Sequence, residues 1–431
     1  MPDLTTPPPP PAPALARSDE AALGLEASLP RAAYVDPAHH ARERQAIFWR
    51  EWLCGGRCEE LPRAGDYRVL EVAGESIVVV RDRDGSLRAH YNLCRHRGSR
   101  LVPDATSAPG RSGAPGPSGH LASGFRCPYH GWTYTLDGRL RGTPFLPQLD
   151  AHRDRLGLRR VGLVEWQGWF FLHLSPGDHP GGLPPVPDLF TAAARRLAGY
   201  RLADLRVACR IEYTVVADWK VVVENYNECY HCGPVHPELC RVVPAFRRSG
   251  GADLDWDQGI RQRPGTTTFT VSGTTTRAPL PGLRPDELDL HRGELLLPNL
   301  MVSCSSDHVA AFTLWPQAAG RTQIVCDFLF HPTAMARPDF DPEDAVGFWD
   351  LVNRQDWAIC ESVQRGMSSR AFRHGYLAPM EDLSADVRRY LGDRMPDLAP
   401  AAEDGAGDPA TPDRAGISAA SADASAPPRP R

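Results

Sequence analysis

No apolar run in the sequence is long enough to cross a bilayer, and the opening residues, MPDLTTPPPPPAPALARSD, have neither the basic n-region nor the apolar core of a secretory signal. Read from sequence, the protein is therefore expected to be cytoplasmic and free of membrane contact. Charge of one sign is also lacking: 48 Lys and Arg stand against 53 Asp and Glu, a net charge of -5. That balance gives no footprint for nucleic acid or for an anionic lipid surface. Neither a G-x-G-x-x-G dinucleotide fingerprint nor a plant-type ferredoxin run of cysteines occurs, so no nicotinamide or flavin site is expected in the chain itself.

What is present is the material for two substantial domains: 431 residues, 42% apolar and 23% charged. The eleven cysteines are odd in number and scattered, which does not suit a small disulfide scaffold and leaves metal ligation as the use for a few. Cys209, Cys304, Cys326 and Cys360 read as small buried hydrophobes. Residues 1–28 and 397–431, rich in Pro and Ala, are predicted to be disordered tails, because they cannot bury enough apolar surface to offset chain entropy. Between them, residues 29–53 are expected to supply an N-terminal helix, periodic from Ala41 to Leu53, that packs on the second domain. Residues 54–165 read as a β-rich domain, with strands at Tyr67–Val72, Ser76–Arg81 and Leu87–Tyr91 and a turn at Asp84-Gly85. A Gly/Pro/Ser-rich stretch, 105–124, reads as an inserted surface loop within it. Residues 166–396 read as mixed α+β. Strands are expected over Val161–Leu174, Arg206–Val215 and within 266–330, with a helix from Asp218 to His231. A long helix is expected over 342–365, with Asp341 as N-cap, Pro342 at its first position, Glu343 in the first turn and Gly366 past its end.

The most specific signal is Cys94-Arg95-His96-Arg97-Gly98 followed by Cys127-Pro128-Tyr129-His130-Gly131-Trp132. Two thiolates and two imidazoles are the ligand set of a Rieske 2Fe-2S cluster, with Cys94 and Cys127 on one iron and neutral His96 and His130 on the other. Zinc accepts the same donor types, but zinc fingers pair Cys with Cys and His with His. Here each loop supplies one of each and ends in a glycine that allows a tight turn. The two motifs resemble the signature of Rieske non-haem iron oxygenase alpha subunits. That resemblance implies an all-β Rieske domain joined to a helix-grip catalytic domain, an antiparallel sheet with a long C-terminal helix. Thirty residues separate His96 from Cys127, about twice the family's usual spacing, and the excess coincides with the Gly/Pro/Ser stretch. Insertions in loops cost little, so the ligand assignment stands.

A second constellation runs DWKVVVENYNECYHCGPVHP from Asp218 to Pro237. His231 and His236 are five residues apart, about 140° around an ideal helix, so they could share a metal only if the helix ended between them. Gly233-Pro234 supplies that break after His231. Two imidazoles and one carboxylate make the facial triad of non-haem Fe(II) oxygenases. The resemblance, through NRQDWAICESVQRG, implies Asp356 as the carboxylate, with Asp350 as the alternative. Cys229 and Cys232 form a Cys-x-x-Cys for which zinc and redox readings exist, although packing of two helical thiols is the simpler one. Glu228, three residues before His231, is expected to share its helix face, with Glu224 and Asn225 one turn earlier. The resemblance gives Glu228 the role of bridging His231 to a cluster histidine, His130, of a neighbouring subunit in a homotrimer. Glu228 and Asn225 are thus the candidates for catalytic support.

By the same resemblance, electrons come from NAD(P)H only through a separate reductase or ferredoxin, enter at the cluster and serve to activate O2 at the iron beside a small-molecule substrate. ENYNECYHC, LLLPNLMVS and ICESVQRGM are similar to the branch containing choline monooxygenase and glycine betaine demethylases. The expectation is hydroxylation or demethylation of a quaternary ammonium or betaine-like compound. An aromatic ring-hydroxylating dioxygenase and a Rieske electron-transfer protein without oxygenase activity are the alternatives. A quaternary ammonium cannot hydrogen-bond and is held by aromatic faces. Trp256, Phe312 and Trp315 are conceivable donors, though each also suits a core position.

Overall fold

Branched and aromatic side chains favour extended backbone because they pack well on a pleated surface, and the first half of the chain is rich in them. In a computed structural model describing residues 22–102, 118–178 and 183–396, this half opens with the helix α1 (Pro37–Glu43) and five strands. They are β1 (Leu53–Arg57), β2 (Asp66–Val72), β3 (Glu75–Arg81), β4 (Leu87–Tyr91) and β5 (Ser118–His120). A small three-stranded sheet follows, of β6 (Phe125–Arg126), β7 (Thr133–Tyr134) and β8 (Leu140–Gly142). The hairpin β9 (Arg160–Trp166) and β10 (Trp169–His173) then returns to the large sheet, whose order is β1-β10-β9-β4-β3-β2-β5. Alternation along β3 divides its duties. Val78 and Val80 face the small sheet and the cysteine loops, while Ile77 and Val79 face the main core shared with the second half of the chain.

The second half is a six-stranded antiparallel sheet. Its strands are β11 (Arg206–Val215), β12 (Ile260–Arg261), β13 (Leu290–Leu296), β14 (Leu300–Cys304), β15 (His308–Ala318) and β16 (Arg321–Phe330), in the order β11-β16-β15-β14-β13-β12. Between β11 and β12 the chain forms α2 (Trp219–Tyr226), α3 (Cys232–Val235) and α4 (Pro237–Val242). The long helix α5 (Glu343–Met367) packs on the sheet by Phe348, Trp349 and Val352, and α6 (Asp382–Arg394) closes over α2. This is the expected α+β arrangement of an all-β unit and a helix-grip unit.

Several expected boundaries shift for identifiable reasons. The N-terminal helix lies earlier than 41–53. It continues from α1 through one wide turn to Phe48, because Leu53 is drawn into the sheet as the first residue of β1. The 218–231 helix stops at Tyr226. Part of the expected loop 105–124 is strand: Ser118–His120 pairs with Asp66–Arg68, Gly119 lying flat against the Tyr67 ring and His120 Nδ1 standing 2.9 Å from Asp66. Residues 103–117 fall outside the described part, as do the expected tails except for residues 22–28, where Glu26–Ala27 pairs with Tyr376–Leu377. The Asp341 carboxylate does cap α5, accepting from Glu343 N–H at 2.9 Å, but Gly366 lies inside the last turn rather than past it. The sheet of the first half ends at His173, so the crossing to the second half comes after residue 166.

One buried ionic knot joins these parts. Lys220 Nζ lies 2.6 Å from Glu43 and 2.6 Å from Asp218, all three side chains essentially inaccessible. Trp219 Nε1 donates to the other Glu43 oxygen at 3.0 Å. Burial alone would push the Glu43 carboxyl up, and the Lys220 ammonium outweighs it and holds the group charged. Removing one partner of such a set leaves uncompensated buried charge. Lys220→Met is therefore expected to lower stability by about 3–5 kcal/mol in chemical denaturation, and Glu43→Gln in the same chain to recover part of the loss. A Lys220→Met midpoint unchanged from wild type would contradict this reading.

Candidate cluster and iron sites

Two loops of like geometry present the four candidate cluster ligands. In each, the glycine four residues after the cysteine donates its N–H back to the cysteine carbonyl, Gly98 to Cys94 at 2.9 Å and Gly131 to Cys127 at 3.1 Å. In each, the cysteine N–H is tied five residues on, to Ser99 and to Trp132, both at 2.8 Å. Both glycines sit at positive φ, 74° and 72°, where a side chain would be strained. The result is an asymmetric site: Cys94 and Cys127 are buried, while His96 and His130 are exposed, their rings 4.7 Å apart. His96 stacks on Trp132 at 5.0 Å and His130 lies on Tyr129 at 3.7 Å. Burial raises both thiols. At Cys127 the backbone N–H groups of Tyr129 and His130 outweigh it and lower the pKa, favouring thiolate. At Cys94 burial prevails despite the Tyr134 hydroxyl, 3.3 Å from its sulfur. Two inner thiols and two outer imidazoles are the donor set a Rieske cluster requires, and the loops fit it.

Sequence reasoning missed Tyr134. This fully buried residue reaches Cys94 from β7 and accepts the Arg95 N–H at 3.2 Å. Its spacing of seven from Cys127 is no motif by itself, and only the pairing of β6 with β7 brings it back to the loop.

The candidate iron ligands converge through a turn. α2 ends at Tyr226 because the next residues make other bonds: Asn227 Nδ2 donates to the Leu383 carbonyl at 2.9 Å, and the Glu228 carboxylate accepts the backbone N–H groups of Tyr230 and His231. The helix break thus falls before His231 rather than after it, and Glu228 meets His231 in this turn instead of on a shared helix face. Glu228 Oε1 is 2.5 Å from His231 Nδ1. The opposite nitrogen of that ring, Nε2, is 3.2 Å from Asp356 Oδ1, and His236 Nε2 is 2.8 Å from the same oxygen. Asn225 holds its amide 3.3 Å from His231 Nε2. Gln355 Oε1 accepts from His236 Nδ1 at 2.8 Å and is itself positioned by Glu238.

Ligand atoms at right angles and about 2.1 Å from a first-row metal lie about 3.0 Å apart, and the two histidine–aspartate separations bracket that value. Electrostatics agree. Burial would depress His231, but the Asp356 and Glu228 carboxylates outweigh it and raise the imidazole to about 10. The hydrogen bonds from the two histidines likewise hold Asp356 below the usual carboxylate range against its burial. The site demands a cation, and three donors with outer partners on both histidines fit a mononuclear metal. Asp350 is not the carboxylate: it accepts from Tyr213 at 2.8 Å and pairs with Arg354.

The Cys-x-x-Cys corrects another expectation. Because α2 has already ended, Cys229 lies outside any helix and forms a disulfide with Cys232 at the first position of α3, their Cα atoms 4.8 Å apart. Cys232 lies beside His231 and His236, yet a disulfide sulfur is no thiolate and offers zinc no ligand. Next to the triad is a cavity of about 150 Å³. Its floor is Ile260, His291, Gly293, Leu295, Met301 and Phe312 from four neighbouring strands, and Trp349 and Trp357 of α5 form one wall. Trp256 and Phe312 line it as anticipated, while Trp315 lines a different pocket, beside His40 and Phe48. Leu383 of α6, a helix the sequence did not announce, also reaches the cavity.

A Rieske cluster domain followed by a helix-grip domain with a two-histidine, one-carboxylate site defines a two-centre, oxygen-using oxidoreductase. Comparison with known proteins makes the class specific. Residues 51–153 match the Rieske [2Fe-2S] domain, and residues 202–397 match the ring hydroxylating alpha subunit (catalytic domain). The glycine betaine monooxygenase oxygenase subunit of Chromohalobacter salexigens is 33% identical over 385 residues, 81% of each chain. That of Pseudomonas aeruginosa is 31% identical over 379 residues, covering 81% of this chain and 84% of the relative. The quaternary ammonium Rieske monooxygenase CntA, solved with L-carnitine, superposes with a TM-score of 0.65 at 25% identity over 89% of this chain and 99% of that one. The chain belongs to the Rieske non-haem iron oxygenases, as an alpha-type oxygenase subunit that carries a 2Fe-2S cluster and a mononuclear iron and takes its electrons from a reductase.

Two measurements separate the centres. His96→Ala is expected to abolish the visible and EPR signature of the cluster. Asp356→Ala should keep that signature, lower the iron content by one per chain and end turnover; a colourless wild-type protein containing zinc would overturn the assignment. Thiol titration of the denatured apoprotein without reductant is expected to find nine of the eleven cysteines, and all eleven after reduction.

Proposed function

We propose that the protein is the oxygenase component of a monooxygenase that hydroxylates an N-methyl group, or the carbinol carbon, of a small quaternary ammonium compound. The observation that carries this reading is the cavity itself: Trp256, Phe269, Phe312, Trp349 and Trp357 surround the space beside His231, His236 and Asp356. A quaternary ammonium has no proton to donate, and each well-placed aromatic face attracts it by about 0.5–2 kcal/mol. With its two groups bound, the protein gains one-electron storage at the cluster and O2 activation at the iron. The chain's own residues do the rest. Glu228 fixes the His231 tautomer, Gln355 orients His236, Asn225 borders the ligand set, and the apolar walls exclude water. Hydroxylation of N–CH3 by O2, two electrons and two protons gives N–CH2OH and water; the carbinolamine then collapses to formaldehyde and the demethylated amine.

The proposal includes a homotrimer. His96 and His130 turn outward, with Tyr129 and the fully exposed Phe145 beside them, whereas Glu228 is turned to His231 of its own chain. A partner's cluster imidazole docked at Glu228 would put one carboxylate between two imidazoles and give electrons a short route. In this reading Cys94, His96, Cys127 and His130 hold the cluster, His231, His236 and Asp356 hold the iron, and Glu228 links the two. The cluster domain runs from Leu53 to His173, the iron domain follows it to residue 396, and the protein works in the cytoplasm with an NAD(P)H-dependent reductase.

The test is incubation of the oxygenase with such a reductase, O2 and a panel of substrates. Formaldehyde or an aldehyde from quaternary ammonium compounds is expected. Cis-diols from arenes, with no product from any quaternary ammonium, would overturn the reading. Glu228→Gln is expected to keep both metal signatures and to slow turnover about 10–100-fold, with the deficit in single-turnover reoxidation of the cluster.

A further inference from the structure

The cavity has a charge pattern that bears on the other end of the substrate. At the ligand end stand Asp356 and Glu228; among the described lining residues there is no lysine or arginine. The far end is marked by Trp349, which precedes Asp356 by seven residues of α5, a rise of about 10 Å. There His291 lies flat on Phe269, ring centroids 4.0 Å apart, and 5.9 Å from Trp349. His291 is 6% exposed, and its Nδ1 is buried with no hydrogen-bond partner among the described residues. Trp357 Nε1 is likewise without a partner among the described residues, but it adjoins Asp356 at the ligand end. Several other polar groups on the walls are occupied. Tyr226 donates to the Val302 carbonyl at 2.9 Å and shares a 3.0 Å contact with Ser303, and Asn353 donates to Tyr213. Burial, helped by His308, pushes the His291 imidazole down to about 3, so it is neutral wherever the enzyme is assayed.

A betaine carboxylate seated at that end would be desolvated with no cation to meet it, which is costly. A hydroxyl there needs one neutral hydrogen bond, and an unpartnered buried imidazole nitrogen gains by providing it. We propose that the non-reacting end of the substrate is uncharged and hydrogen-bonds to His291, so that the enzyme selects small quaternary ammonium alcohols over zwitterionic betaines. This rests on the quaternary ammonium reading and adds the specificity-determining residue.

The experiment uses three trimethylammonium compounds of equal chain length, ending in a hydroxyl, a carboxylate or a methyl group, with the full-length holoprotein, His291→Leu and His291→Gln. Dissociation constants come from calorimetry without reductant, and turnover from formaldehyde release. The alcohol is expected to bind at least about tenfold tighter than the carboxylate, roughly the penalty of one unmatched desolvated group. In His291→Leu the ratio of alcohol to methyl-ended affinity should fall about 3–10-fold, with part of it restored in His291→Gln. A carboxylate bound as tightly as the alcohol, or a ratio unmoved by His291→Leu, overturns the inference while formaldehyde release leaves the quaternary ammonium reading intact. If none of the three binds or yields formaldehyde, that reading falls as well.

Discussion

The buried knot of Lys220, Glu43 and Asp218 is the constraint on which the iron site hangs. It pins the first turn of α2 to α1, and Gln364 of α5 joins in by donating to the Tyr34 carbonyl at 3.0 Å and accepting the Asp218 N–H at 2.9 Å. Further along α2, Tyr34 donates to Glu224 at 2.8 Å. Three segments distant in sequence are thereby held in one register. The consequence is chemical. His231 follows the end of α2 and Asp356 rides on α5, so the distance between them is set by contacts made one to three turns away. A buried charge set is a weak source of net stability, because desolvation cancels much of the attraction, but it tolerates only one arrangement of its partners. For a site whose ligand atoms must meet within a few tenths of an ångström, that intolerance is the useful property.

The two centres are built to opposite specifications. The cysteine loops bury their sulfurs and leave the imidazoles on the surface, so whatever exchanges electrons with the cluster meets it from outside. The candidate iron ligands are less open, with His231 and Asp356 partly buried and His236 only 1% exposed, its outer nitrogen held by Gln355. An open donor and a closed acceptor on one chain are reconciled if a surface of one chain covers the turn at Glu228 of another. In the proposed trimer that turn would be the meeting point; Glu228 there has one oxygen accepting from the turn's backbone and the other from the His231 ring.

How much of this was legible depended on how local each feature is. Cys94, His96, Cys127 and His130 could be singled out as cluster candidates because all four lie in two short loops whose glycines and donors sit at fixed offsets. Asp356 lies 120 residues beyond His236, and no spacing rule connects residues joined only by the packing of α5 on α2. The end of α2 was misplaced because Gly233-Pro234 is the louder breaker in the sequence. The operative one is a side chain, Glu228, accepting backbone N–H groups that a helix would have used. The aromatic candidates show the same limit from another side. Phe312 and Trp315 are three apart on β15, so the two-residue alternation of a strand sends them to opposite faces, and only Phe312 could reach the cavity. That separation could have been drawn from the sequence once 308–318 was known to be strand. α6 gave no comparable signal, since its sequence, DLSADVRRYLGDR, is mostly polar and buries little beyond Val387 and Leu391.

Under the proposed function, seating an organic cation beside a divalent metal poses an electrostatic problem that the site's composition would resolve. Extra carboxylates in the cavity would attract the substrate, yet they would also compete for the metal and hydrate the space. Aromatic rings attract a cation through their quadrupole without carrying net charge or a metal-binding lone pair. The acidic groups, Asp356 and Glu228, are confined to the ligand end, where their pull is strong enough to raise His231 to about 10. That same pull is what a metal dication would draw on in place of the proton. The cavity is thus divided by charge: negative groups stand at the ligand end, neutral rings line the space where the proposed cation would sit, and a neutral imidazole closes the far end. The division explains why the pocket could be anticipated in kind from chemistry, although its members come from four strands and six helices that no single stretch of sequence brings together.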